Sequence, residues 1–238
     1  MQPVLDRALR DAELLLDNGA DGLILENTHD LPYQRSRVDA STIAACARAA
    51  SGIRRRFGGV LGLNLLAADT VAAVDTAIAC DLQFVRCEGF VFAHVADEGL
   101  IQGDAARILR RRAHLQAPHL EVWADVKKKH ASHAITQDLS IREFARGAAF
   151  FDADAVIVSG AVTGEAPDLE DVRAVKSLGI PVVIGSGVTA DNIQAFAALA
   201  DVLIVGSACK DTGDWRGEVA ADRVARLTGL LARSKTGP

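Results

Sequence analysis

The feature that most constrains this chain is a regular alternation. Short runs rich in Val, Ile and Leu recur between longer stretches whose apolar residues fall at helical spacing. Seven runs read as strands, at 22–27, 60–65, 82–87, 120–126, 155–159, 181–186 and 202–207. They lack strict polar alternation, as expected of parallel strands whose outer face lies under helices. Eight amphipathic segments flank them, at 4–18, 38–56, 69–79, 103–115, 140–151, 168–177, 191–199 and 221–232. Asp168 reads as an N-cap with Glu170 and Asp171 in the first turn, and Gly19 after Asn18 as a stop. The strand starts average 30 residues apart, the spacing of a (β/α)8 barrel of about 250 residues. The expected fold is therefore an α/β TIM barrel forming a single domain over residues 1–238. Eight helices against seven strands place the missing first strand upstream of Met1, or leave an unfilled gap between the strands at Gly22 and Val202. An open doubly wound sheet is the competing architecture.

Composition narrows the function. A formal charge of −5 over 238 residues argues against nucleic-acid or anionic-membrane binding, both of which need excess Lys and Arg. No apolar run is long enough to span a bilayer, and the N-terminus lacks signal-peptide character. Cys46, Cys80, Cys87 and Cys209 show no C-x-x-C spacing and sit among apolar residues, so core thiols in a cytoplasmic protein are expected.

In a barrel, the strand C-termini and the loops after them form the functional face. Reading each strand to its end gives Glu26 and Asn27, Asn64, Arg86 and Glu88, Asp125, Ser159, Ser186, and Gly206 with Ser207. Any barrel ends its strands in polar residues, so the weight lies on the set. Its sharpest part is the pair Gly185-Ser186-Gly187 and Gly206-Ser207 after the last two strands. Residues without Cβ let backbone N–H groups approach an anion, and this is the phosphate position of many barrels. The alternative is tight βα turns. Neither run matches a P-loop or a dinucleotide fingerprint.

Two arginine runs, 54–56 and 110–112, fall at helix C-termini, facing away from the functional end. Lys127-Lys128-Lys129-His130 instead follows a strand. If that strand persists, a period of two puts Asp125, Lys127 and Lys129 on one side. A lysine there can contact phosphate, stabilise an enolate or, if desolvated, act as a base or Schiff-base amine. Asp125-x-Lys127 also resembles the Asp-x-Lys of barrel decarboxylases. His130 and His133 with Asp125 have the elements of a metal site, but H-x-x-H in a loop is not a zinc pattern, and neither metal nor cofactor is expected. His29 is placed at the pocket entrance. Ser159 has no triad partners in sequence.

The chain resembles the BtpA/SgcQ family of barrel proteins over nearly its whole length. The resemblance is carried by residues 21–27 with Asp30 and Pro32, by Gly62-Leu63-Asn64, and by Asp97-Glu98-Gly99-Leu100-Ile101 with Gly103. It continues through Ala124-Asp125-Val126 with Lys129-His130, Thr163-Gly164-Glu165 with Pro167-Asp168, Gly185-Ser186-Gly187-Val188, and Val205-Gly206-Ser207 with Asp211 and Gly213-Asp214-Trp215. It implies a barrel of the ribulose-phosphate-binding kind whose first strand lies upstream. Position 127, where similar sequences often carry His, is Lys here.

Two functions are then expected. The first is an enzyme acting on a phosphorylated small molecule of the sugar-phosphate class. Glu26 and Asp125 are its acid/base candidates, Asn64 and Asn27 orient the substrate, and Lys129 and His130 act electrostatically or in proton transfer. Gly185, Ser186, Gly187, Gly206 and Ser207 hold the phosphate, and Arg86, Lys127, Ser159 and Thr163 complete the substrate contacts. The second is a non-catalytic assembly or regulatory factor, in line with the photosystem I biogenesis role for which the family is named. The sequence leaves homo-oligomerisation open.

Overall fold

The structure is a computed structural model that describes residues 1–160 and 162–235. The chain begins α1 (Gln2–Asp17), β1 (Gly22–Glu26), α2 (Ala40–Arg54), β2 (Val60–Asn64), α3 (Thr70–Ala79) and β3 (Phe84–Cys87). An antiparallel pair, β4 (Ala93–Ala96) and β5 (Gly99–Gln102), precedes α4 (Ala105–His114), β6 (Glu121–Val126) and the short β7 (Ala131–Ser132). The chain continues through α5 (Ile141–Phe150), β8 (Ala155–Val158), α6 (Leu169–Lys176), β9 (Val182–Ile184), α7 (Ile193–Ala197), β10 (Val202–Leu203) and α8 (Ala221–Lys235).

All seven strands read from the sequence are present and form one parallel sheet in the order β1-β2-β3-β6-β8-β9-β10. Both ends are edges: among the described residues β1 and β10 do not pair, so the barrel is open along one seam. The gap expected between Gly22 and Val202 is thus observed. The three-stranded antiparallel sheet β5-β4-β7 was not foreseen. It sits beyond the strand ends, where β6 and β3 hand over to their loops.

Two apolar layers hold this arrangement. The larger lies between sheet and helices and includes Leu61, Leu63, Val85, Val122, Val156, Val158 and Val182, all essentially without solvent exposure. Each such side chain contributes roughly 1.5–3 kcal/mol relative to an exposed one. The smaller fills the barrel interior with Phe84, Trp123, Ala155, Ile157 and Val183, packed against Ile24 and Ile204. Phe84 and Trp123 stack with ring centroids 3.7 Å apart and planes at 11°. Gly62 makes this stack fit, because a Cβ there would lie 2.2 Å from the Phe84 ring.

The first and last helices clasp the seam from outside. Arg7 on α1 donates to the Gly217 carbonyl at 3.2 Å and pairs with Glu218 at 3.1 Å. Lys210 pairs with Asp11 at 3.6 Å, and Thr228 Oγ1 donates to the Asn18 carbonyl at 2.8 Å. The arginine runs lie at the opposite end of the barrel, as expected. Arg54 is held by the carbonyls of Phe57 and Gly59, and Arg112 by Leu120 and Asp154.

Candidate functional site

The period of two along each strand builds the site directly on the interior apolar layer. Two residues beyond Ile24, Gly62, Phe84, Trp123, Ile157 and Val183 stand Glu26, Asn64, Arg86, Asp125, Ser159 and Gly185. Arg86 is the hub. Its Nε and Nη2 donate to the two Asp125 oxygens at 2.8 and 2.9 Å, and its Nη1 donates to Glu26 Oε1 at 3.2 Å. Asn64 Nδ2 donates to the same Glu26 oxygen at 3.3 Å. Burial opposes the guanidinium charge, but Asp125 and Glu26 outweigh it and raise the Arg86 pKa.

This geometry separates the two carboxylates expected to share acid/base work. The Asp125 side chain is 0% exposed, both its oxygens are taken by the bidentate pair, and it does not line the cavity above. Asp125 therefore lies beneath the floor, held against Arg86. Glu26 is 21% exposed and does line the cavity. Its Oε1 is pinned by Arg86 and Asn64, while Oε2 has no hydrogen bond among the described residues.

Beyond Asp125 the chain leaves the strand register. Lys127 takes φ +50°, which breaks the period of two, so its ammonium turns outward to lie 5.9 Å from the Phe144 ring centroid. It does not line the cavity, and the expected Asp125-x-Lys127 pairing does not form. Lys128 turns inward instead, donating to Glu88 Oε2 at 3.2 Å with Glu98 3.8 Å away. Burial opposes this ammonium, yet the two glutamates raise its pKa. Lys129 lines the cavity with no hydrogen bond or ion pair among the described residues. Burial, reinforced by Arg86, lowers its pKa against the pull of Glu26, Asp125 and Glu88.

His130 fastens the rim. Its Nε2 accepts from the Thr163 backbone N–H at 3.2 Å and lies 2.8 Å from Thr163 Oγ1, while its Nδ1 is 4.0 Å from Asp97. His133 Nε2 bonds the Lys128 carbonyl at 3.0 Å. The two histidines and Asp125 therefore do not converge on a metal. Asn27 lines the cavity, but its carboxamide is committed to the Leu66 backbone, accepting from N at 2.7 Å and donating to O at 3.1 Å. Ser159 Oγ is buried, unpartnered among the described residues and outside the cavity lining.

The two glycine loops face the same cavity. Gly185 lets β9 pass close over the floor, since a Cβ there would lie 2.5 Å from Ser159 Oγ and 3.5 Å from Arg86 Nη2. Gly187 takes φ +74°, and a Cβ on it would fall 2.2 Å from the Ala166 nitrogen and the Glu165 oxygen. Ser186 Oγ donates to that Glu165 carbonyl at 3.3 Å. Among the described residues, nothing accepts the backbone N–H of Ser186, Gly187, Val188 or Gly206. These residues and Ser207 line a cavity of about 1540 Å³ together with Glu26, Arg86, Lys129, His130 and Thr163. The volume exceeds that of a usual small-ligand pocket because it runs on into the seam, along Val4, Ala8 and Leu15 of α1. His29 stands at this opening against Trp215, ring centroids 5.1 Å apart, and Arg216 lies 4.2 Å from the Trp215 ring.

The BtpA family profile matches residues 1–233. The chain belongs to the BtpA family. It is 37% identical over 233 residues to an uncharacterized mitochondrial protein of Caenorhabditis elegans, covering 95% of this chain and 84% of that one. It is 32% identical over 234 residues to the photosystem I biogenesis protein BtpA of Synechocystis sp., covering 96% and 80%. Among solved structures it is similar to orotidine 5′-phosphate decarboxylase of Pyrococcus horikoshii, with a TM-score of 0.62 at 13% identity, covering 96% and 94%. The fold is thus that of a TIM barrel, as the βα count predicts. No helix among the described residues is long and apolar enough to cross a membrane.

Several family motifs acquire a place here that sequence reading did not give them. Asp97-Glu98 is the turn of the β4–β5 hairpin, followed by Gly99 at φ +108° as the first residue of β5. It carries Glu98 to Lys128 and Asp97 to His130. The signal was an acidic pair before glycine between two short apolar runs. Glu88, the other Lys128 partner, was visible at its strand end but had no role. The four thiols are free of disulfides and buried, and burial pushes Cys46 up to about 11, Cys87 up to about 12, and Cys209 upward, which disfavours these three as thiolate nucleophiles.

Proposed function

We propose that the protein is an enzyme that works by acid/base chemistry on a phosphorylated small molecule of the sugar-phosphate class. One observation carries this reading: backbone N–H groups of two adjacent loops, with no acceptor among the described residues, line the same cavity as a carboxylate with one oxygen pinned and the other free among those residues. Backbone N–H groups without acceptors are anion ligands. A carboxylate fixed by one oxygen presents the other at a defined place, which general acid/base catalysis requires. It supports the reading that a solved structure of the same fold is named for a 5′-phosphate substrate.

In this reading the phosphate sits on Ser186, Gly187, Val188 and Gly206, with Ser207 beside them. Glu26 takes or returns the proton. Arg86 and Asn64 fix the carboxylate, and Asp125 fixes Arg86. His130 and Thr163 join the loops after β6 and β8 into one rim, and Lys129 supplies an amine within the cavity.

The test is a melting screen with inorganic phosphate, ribose 5-phosphate and dihydroxyacetone phosphate. A ligand at about one hundred times its Kd stabilises the native state by roughly 2.7 kcal/mol. Glu26→Gln is expected to keep the shift and to lose roughly a hundredfold or more of any solvent-deuterium exchange into the carbonyl compound. If no phosphorylated compound raises the melting temperature, the reading fails. The assembly-factor reading to which the Synechocystis relative's name points then takes its place.

A further inference from the structure

Three lysines line the cavity, and two are already answered by carboxylates: Lys128 by Glu88 and Glu98, and Lys210 by Asp11. The third, Lys129, has neither ion pair nor hydrogen bond among the described residues. Of the acids whose charge reaches it, two are fully engaged elsewhere and Glu26 is held by one oxygen. Asp125 is closed off by Arg86, Glu26 is pinned by Arg86 and Asn64, and Glu88 is bound to Lys128. A half-buried lysine with no ion pair among the described residues, and under the charge of Arg86 across the same cavity, is an amine disposed to lose its proton.

We propose that Lys129 is a nucleophile that forms an imine with the aldehyde or ketone group of a phosphorylated substrate. The phosphorylated class rests on the reading above; the amine chemistry rests on Lys129 and its neighbours alone. The neutral Nζ adds to the carbonyl carbon, forming a C–N bond while the C=O π pair moves to oxygen. Proton transfer from nitrogen to oxygen gives the carbinolamine. A second proton on that oxygen, delivered by Glu26 in its acid form, lets the C–O bond break. One water leaves as the nitrogen lone pair forms C=N. The resulting iminium draws electrons from the adjacent carbon. Glu26, now a carboxylate, removes a proton from that carbon, and the C–H pair becomes an enamine C=C that neutralises the nitrogen. No oxidant, reductant or further reactant is needed. Lys129 thereby gives the carboxylate above Arg86 a carbon acid strong enough to ionise.

The test begins without a phosphorylated ligand. Full-length protein is treated with formaldehyde and cyanoborohydride at pH 7, and methylation of each lysine is timed by peptide mass spectrometry. A lysine whose pKa is lowered holds more free amine at pH 7 than an ordinary one. Lys129 is therefore expected to be methylated at least about twofold faster than the half-buried Lys127, whose ammonium lies over the Phe144 ring. Reaction no faster than at Lys127 overturns the proposal, even where the melting screen supports a phosphate site. Conversely, rapid methylation with no phosphate-dependent melting shift supports the amine and sinks the phosphorylated class only. A second arm uses dihydroxyacetone phosphate with borohydride. One reduced adduct at Lys129, absent from Lys129→Arg with an unchanged circular dichroism spectrum, is the supporting result. Adducts spread evenly over the lysines are the overturning one.

Discussion

Removing the charge of Asp125 leaves the Arg86 guanidinium buried with only the single 3.2 Å contact to Glu26. The structure sets the size of the effect. Arg86 and Asp125 are 4% and 0% exposed, and the pair is bidentate at 2.8 and 2.9 Å. Breaking a buried pair from one side costs about 3–5 kcal/mol, because the partner's charge stays desolvated. Unfolding entropy near 2.1 cal/mol/K per residue gives about 0.5 kcal/mol per degree for a chain of this length, so Asp125→Asn is expected to lower the melting temperature by roughly 6–10 °C. Arg86→Met alone strands the acid instead and falls in the same range. The double variant Arg86→Met/Asp125→Asn is expected to lose clearly less than the two single losses together, since each change removes the reason for the other. Calorimetry with a double-mutant cycle measures this. A single Asp125→Asn shift under about 2 °C, or strict additivity in the cycle, refutes the hub.

His94 supplies a pH dependence. It is buried on β4 with an Nε2 that has no hydrogen bond among the described residues, and burial, with Lys128 and His133, lowers its pKa from 6.5 to about 4. Between those values the unfolded chain takes up a proton that the folded chain refuses, so stability falls as pH drops through 6.5 toward 4, by up to about 3 kcal/mol. Urea titrations at pH 7 and 4.5 are expected to show a smaller acid loss in His94→Gln than in the parent; equal losses contradict the assignment. Gly187→Ala must move a backbone at φ +74° and displace Ala166 and Glu165, so it is expected to destabilise by more than about 1 kcal/mol and to abolish any phosphate-dependent melting shift. A retained shift speaks against that loop as the anion site. In hydrogen exchange, the sheet-edge amides of β1 and β10 are expected to exchange well before those of β3, β6 and β8; uniform protection across the sheet contradicts an open seam.

The barrel was legible because its strands are buried on both faces and therefore read as unbroken Val, Ile and Leu runs, such as 155–158 on β8. The polar ring was legible for a related reason: Glu26, Asn64, Arg86 and Asp125 each stand where an apolar run stops. Their roles were not. Which carboxylate is free depends on the curvature that brings β1, β3 and β6 around one guanidinium, and no local pattern encodes that distance. Lys127 shows the limit most plainly. A period of two predicts it inside, but a single positive φ inverts the phase of the residues after Val126, and lysine carries no signature of that conformation. The β4–β5 hairpin escaped because two four-residue strands are too short to show alternation.

The clasp between α1 and α8 joins residues 210 positions apart in sequence, whereas each neighbouring βα pair forms over a few tens of residues. Contacts of such long range carry the greatest loop-closure entropy and are made last. The wall can thus form unit by unit from local contacts, whereas the seam is drawn together only by contacts between α1 and α8 that span most of the described residues.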